Sequence, residues 1–300
     1  MNSPLELKKY LDPFLKKFNY SKHLSQDPIL FIHRYQEPRD QEVVALLASS
    51  LAYGRVEKIL EFLERLFQIM GPSPYQFIIK FDPERDRKLF HDFTYRFHRG
   101  RHIACFIYLI SKILNQYGSL EKFFLKFYSE DFPQMEQSIS QFVHGFLNQE
   151  VFPFYRSGRL PKDSPVRFFL PNPKDGSTCK RLCLFLRWMV RGPDSVDLGV
   201  WKKVRSKDLI IPLDTHVARI SRYLGLTSSL TYSWKTSCEI TESLKLLDSS
   251  DPVKYDFALC HLGISGDCPS RQDILKCKPC SLRPVCRCWN ECFSLEQLSC

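Results

Sequence analysis

Seven thiols fall within the last 33 residues, and four of them are spaced to grip a metal centre. Cys268, Cys277, Cys280 and Cys286 follow C-x8-C-x2-C-x5-C. Four-cysteine zinc sites usually pair two C-x2-C knuckles around one tetrahedral ion. Here only Cys277 and Cys280 form a knuckle, and Cys268 and Cys286 reach in singly. A [4Fe–4S] cluster is larger and takes one thiolate at each iron, so uneven gaps suit it. Lys276, Lys278, Arg283 and Arg287 within or beside the loops would offset the thiolate charge. The expected cofactor is therefore a [4Fe–4S] cluster, with zinc as runner-up. Cys288, Cys292 and Cys300 have no evident role, though one of them is a conceivable substitute ligand.

The second chemical signal is charge. The formal net charge is +10, and the excess is concentrated between Arg156 and Lys207, where 13 basic side chains stand against 4 acidic ones. Such a band suits a polyanion, because each phosphate contact releases a counterion. The plainer alternative is a solvated basic face.

Helices must position these groups. Gln41 to Met70 places apolar residues at helical spacing in two segments that meet near Tyr53 and Gly54. His102 to Gly118 is a strong helix with a glycine stop, and QMEQSISQFVHGFLNQ suggests another. Pro153 to Ser177 carries five prolines and reads as loop. TCKRLCLFLRWMVRG resumes as a helix. DTHVARISRYLGL follows, with Asp214 as N-cap and Gly225 as stop. WKTSCEITESLKLLD and VKYDFALCHLGI complete the set. No strand is evident, so the class is all-α. Cys105, Cys179, Cys183, Cys238 and Cys260 sit in apolar helical patterns and are expected in the core. No apolar run reaches the roughly 18 residues of a spanning helix. The N-terminus mixes charge with apolar residues, unlike a signal peptide. A cytosolic location, with thiols kept reduced for metal, is the expectation.

Leu213-Asp214-Thr215-His216-Val217-Ala218-Arg219-Ile220, taken with the cysteine pattern, resembles the helix-hairpin-helix (HhH-GPD) superfamily of base-excision DNA glycosylases, of which endonuclease III is the type. The cysteine gaps of that family are six, two and five, so this chain has two extra residues in the first gap. The stretches GSTCKRLCLFLRWMVR and YDFALCHLG also resemble an uncharacterised bacterial family placed in or near that superfamily. The resemblance implies a two-lobed all-α fold with Asp214 in the cleft. One lobe would span 38–212, with an insertion near 120–170; the other would join 1–37 to 213–300 and carry the cluster. It implies that Asp214 is catalytic, stabilising the oxocarbenium-like sugar left when an N-glycosidic bond breaks. Against this stands Asp214 as a simple N-cap.

The family's L-P-G-V-G hairpin is degenerate here. Gly176 matches its second glycine, and the amides after it, with Ser177, Thr178, Lys180 and Arg181, are the expected phosphate contacts. The strand-cleaving lysine of bifunctional members falls on Thr178. Lys180, two residues on, is expected to point elsewhere, so base removal without strand cleavage is the expected form. Ser50 stands where the family has a gap-filling glutamine. Tyr53, Trp188 and Trp201 are candidate base-stacking partners. The expected function is a DNA-binding N-glycosidase removing a damaged or mispaired base, acting as a monomer. The alternatives are a non-catalytic iron–sulfur nucleic-acid-binding protein, and an enzyme acting on RNA or a nucleotide.

Overall fold

The structure, a computed structural model, describes residues 3–290 and is mostly helical. The longer helices are α1 (Pro4–Lys17), α2 (Pro38–Ser50), α3 (Val56–Met70), α4 (Gly100–Tyr117), α5 (Met135–Leu147), α6 (Lys180–Val190), α7 (Thr215–Leu224), α8 (Trp234–Lys245) and α9 (Asp256–Ile264). The expectation of no strands is corrected by a minimal antiparallel hairpin. Strands β1 (Thr94–Tyr95) and β2 (His98–Arg99) pair Thr94 with Arg99 and Tyr95 with His98. It is too short to show as an alternating pattern. Among the described residues, no helix is long and apolar enough to cross a membrane.

Helix α3 shows why these segments fold as they do. Ile59, Phe62, Leu63, Leu66, Phe67 and Met70 recur at helical spacing, and all are buried. Helix α2 is different: Val43 to Ser50 are buried without a break, so it has no solvent face. It packs between the short 3-10 helix Pro28–Arg34 and α6. Ser50, which stands where the resembled family has its gap-filling glutamine, is therefore inside the protein rather than at a surface.

Two buried carboxylates tie distant loops to α2. Glu42 accepts from the amides of Leu120 and Glu121 at 2.9 and 2.7 Å and from Trp201 Nε1 at 2.8 Å. Asp40 accepts from Tyr75 N and Ser73 Oγ at 2.8 and 3.0 Å. Trp201 and Trp188 are fully buried. This corrects their candidacy as stacking partners, because neither ring is available to a ligand.

Helix α1 joins the C-terminal part of the chain. Tyr255 Oη donates to Asp12 Oδ1 at 2.9 Å, and Lys8 pairs with the carbonyl of Leu247. Helices α7 and α9 pack closely because α9 offers a glycine at the contact. A Cβ on Gly263 would lie 2.6 Å from His216 Cβ. Any larger residue there would push the two helices apart, and the site described next is built between them.

Candidate active site

Asp214 is the N-cap of α7, and both of its oxygens are occupied. Oδ1 accepts from the backbone N–H groups of His216 and Val217 at 2.9 and 2.8 Å, the usual capping geometry. Oδ2 lies 3.1 Å from Lys180 Nζ and accepts from the Cys260 thiol at 3.4 Å. A cap alone would need only Oδ1. The second oxygen brings together the first residue of α6, the cap of α7 and the middle of α9. Lys180 was expected to point elsewhere; the structure corrects this. The helix starts at Lys180 rather than Thr178, and Cys179 before it has φ 50°, in the left-handed region. That turn redirects the chain and aims the lysine at Asp214.

The electrostatics of the pair reinforce it. Burial pushes the Asp214 carboxyl up, but the Lys180 ammonium and the Val217 amide together outweigh burial. The group titrates below the ordinary carboxylate range. Burial likewise pulls Lys180 down, yet the Asp214 carboxylate outweighs it, and the ammonium titrates above its ordinary value. At neutral pH the site holds a carboxylate and an ammonium. Burial, followed by Asp214, drives the Cys260 thiol well above its usual range, so it is a proton donor to Asp214 and not a thiolate.

Beside the pair opens a cavity of about 160 Å³. Its lining includes Lys180, Tyr53, Phe257, Asp256, Cys260 and His261. Aromatic rings with a few polar groups are the usual lining of a small-ligand pocket. His261 Nε2 and Asp27 Oδ2 are hydrogen-bonded at 3.1 Å at its edge. Tyr53 is half-buried and fixed by a 2.6 Å hydrogen bond to His98 Nδ1. Of the three aromatic candidates it is the one that lines this cavity.

The expected phosphate contacts divide. Gly176 has φ 77° and sits exposed at the tip of its loop; Ser177 and Thr178 are half-exposed. Ser177 Oγ accepts from Cys179 N at 3.1 Å, and Thr178 Oγ1 from Lys180 N at 3.4 Å. Arg181 is turned inward and only 8% exposed. It donates to the Ser50 carbonyl at 3.0 Å, with its guanidinium 5.1 Å from the Tyr53 ring centre and 4.2 Å from that of Phe168. Burial pulls it down to about 10. Arg187 too is interior: Nε donates to Asp197 Oδ1 at 3.1 Å and Nη1 to Asp256 Oδ2. The basic band is thus less exposed than its composition suggests.

The cysteine segment hangs on the same helix as Asp214. Arg219 Nη2 donates to the Cys268 carbonyl and Tyr223 Oη to the Ser270 carbonyl, both at 2.8 Å. These residues are four apart and share one face of α7. Cys268, Cys277, Cys280 and Cys286 are partly exposed and free of disulfides. Burial raises the Cys268 thiol to about 12, and the charges of Cys286, Cys280 and Cys277 add to the rise. Burial raises the Cys280 and Cys286 thiols as well, opposed by the amides of Leu282 and Arg283 aimed at the Cys280 sulfur and those of Trp289 and Cys288 at the Cys286 sulfur. Amides aimed at sulfur favour the thiolate, the form that binds metal. This donor set fits a thiolate-ligated centre. Among the described residues, no group of three or more His, Cys, Asp or Glu side chains is gathered tightly enough to hold an ion as placed. Cys292 and Cys300 lie outside the described residues.

Sequence reasoning missed Cys260, Asp256 and His261 as site residues. Asp256 and Cys260 are four apart in YDFALCHLG and so share one helix face. That spacing of polar groups in an apolar helix was the available signal. Comparison with known families finds a match over residues 27–265 to the model described as "Protein of unknown function (DUF2400)". The chain belongs to that family. No curated protein matches it.

Proposed function

We propose that this DUF2400 protein is an N-glycosidase of DNA that removes a damaged or mispaired base. The observation that carries the proposal is the Lys180–Asp214 pair, 3.1 Å apart beside a cavity lined by Tyr53 and Phe257. An N-glycosidic bond breaks with positive charge building on the sugar. A carboxylate held ionised and already oriented stabilises that charge without having to reorganise. Asp214 meets this need: two amides fix Oδ1, and Lys180 and Cys260 fix Oδ2. The base is extruded from its stack, at a cost of roughly a few kcal/mol, into the cavity. Its flat faces suit the rings that line it.

Lys180 has two conceivable roles. As a neutral amine it would attack the sugar and open the way to strand cleavage. As an ammonium it orients Asp214 and offsets the desolvation of the carboxylate. Asp214 favours the ammonium, so the reading here is base removal by water.

Cys268, Cys277, Cys280 and Cys286 would hold a [4Fe–4S] cluster, with zinc the runner-up. When bound it supplies a cross-link between loops rather than chemistry at the sugar. Arg219 and Tyr223 carry that cross-link to the helix that Asp214 caps.

The experiment is single-turnover base release from duplexes bearing a panel of lesions, with borohydride present in a parallel series. Release without a trapped covalent adduct is expected. An adduct that Lys180→Met abolishes would assign Lys180 as nucleophile instead. Tight DNA binding with no release of any base would favour the binding-protein alternative, and release from single-stranded RNA alone would favour the RNA one.

A further inference from the structure

One buried guanidinium beside the site is shared between two acids. Arg187 pairs with both Asp197 and Asp256, and all three are almost fully buried. Asp197 has a second guanidinium in Arg191, which also pairs with the more exposed Asp194 and Asp251. Among the described residues Asp256 has only its half-share of Arg187 as an ion pair, so burial favours a proton on it. The residue is 2% exposed, and Oδ2 is taken by Arg187. Among the described residues, Oδ1 is buried and has no hydrogen-bond partner. An orphaned buried polar atom is costly, a cost that a protonated oxygen meeting a ligand acceptor removes.

Asp256 also lines the cavity, together with Lys180 and Cys260. The groups facing it come from several elements. Arg187, Lys180 and Cys183 lie on α6, and Asp214 caps α7. Cys260 is on its own helix, and Asp27 and Asp197 approach through Arg187. His261, hydrogen-bonded to Asp27, completes the surroundings. Burial is the largest influence on Asp256. Arg187 opposes it and Asp214 adds to it, and the net result is a carboxyl pushed up to about 6. Two carboxylates near one cavity with their titrations driven apart, Asp214 down and Asp256 up, form the usual pattern of an acid and a charge-stabilising group.

We propose that Asp256 is the proton donor of this site, passing a proton from Oδ1 to a ring nitrogen of the departing base. This rests on the N-glycosidase reading above. The electron pair of the C1′–N bond goes to the base, and the Asp256 proton neutralises it. Water adds to C1′, and its spare proton returns to the Asp256 carboxylate. Asp214 stays ionised throughout. The reaction exchanges one N-glycosidic bond for a sugar hydroxyl and a base N–H. The substrate class that follows is a neutral base that leaves poorly without a proton, rather than an alkylated, already cationic one.

The test compares a neutral purine, hypoxanthine or adenine, with 7-methylguanine, which carries its own positive charge. Single-turnover release from duplex DNA is followed from about pH 5 to pH 9. For wild type, release of the neutral base should fall as pH rises through the Asp256 titration, while 7-methylguanine release keeps no such limb. Asp256→Asn should lose about a hundredfold on the neutral base, remove its alkaline limb, and lose far less on 7-methylguanine. Equal losses on both bases, or an alkaline limb that survives in the variant, would overturn the assignment. Should the variant fail to fold, wild type alone decides. A neutral-to-cationic rate ratio that is constant with pH, or release of 7-methylguanine only, overturns the role of Asp256. If wild type releases a neutral base but not 7-methylguanine, the limb itself decides. Release of no base under any condition overturns the N-glycosidase reading and the role of Asp256 with it.

Discussion

Lys180 Nζ and Asp214 Oδ2 lie 3.1 Å apart, joining the first residue of one helix to the cap of the next. The sign of this pairing sets a pH dependence. Asp214 titrates below the ordinary carboxylate range, so its charge is present above that depressed value and lost as pH falls through it. Lys180→Met removes the opposing ammonium and leaves burial dominant. The acid limb of base release should therefore move to higher pH than in wild type. An acid limb that stays in place would mean that Lys180 does not hold the charge on Asp214.

Arg181 gives a second prediction, opposite to the one its sequence position suggests. Its guanidinium is committed to Ser50 and to the rings of Tyr53 and Phe168. Arg181→Gln should destabilise the fold by about 1–3 kcal/mol, as for a lost buried hydrogen bond, measured by urea unfolding. The salt dependence of DNA binding should keep its slope, because no phosphate contact is removed. A flatter slope with unchanged stability would return Arg181 to the phosphate-binding set.

The helical class and the cap at Asp214 were legible in the sequence, because periodicity and capping are local. Lys180 was not. Its aim depends on Cys179 adopting a left-handed backbone, which cysteine rarely does and no pattern announces. Arg181 and Arg187 were misleading for a related reason. Charge counts report composition, whereas exposure depends on which face of α6 meets α2 and α9. The aromatic candidates divided on tertiary packing: Trp188 and Trp201 filled the core, while Tyr53 stayed at the cavity. Asp256 and Cys260 lay hidden in an apolar helix because each alone reads as an ordinary cap or core residue.

The cysteine segment predicts a metal-dependent stability. Purified without oxygen, the protein should be brown, with about four iron per chain. Cys277→Ala should bleach it and lower its thermal midpoint, since ligand loss removes a cross-link between loops. The loss should reach α7 through Arg219 and Tyr223, which hold the carbonyls of Cys268 and Ser270. A colourless, well-folded wild type with stoichiometric zinc would replace the cluster with the runner-up. Full stability after Cys277→Ala would show that the segment holds no structural centre.

Asp214→Asn tests the central claim most directly, because it separates the cap from the carboxylate. Asn caps a helix about as well as Asp, so Oδ1 can keep its bonds to the amides of His216 and Val217. It carries no charge to set against a cationic sugar. The measurement is single-turnover base release by wild type and Asp214→Asn on the same lesion-bearing duplexes, with circular dichroism and DNA affinity as controls. A rate lower by at least about a hundredfold, with fold and affinity retained, is the predicted result. Equal rates in the two proteins would leave Asp214 as a helix cap and contradict the account.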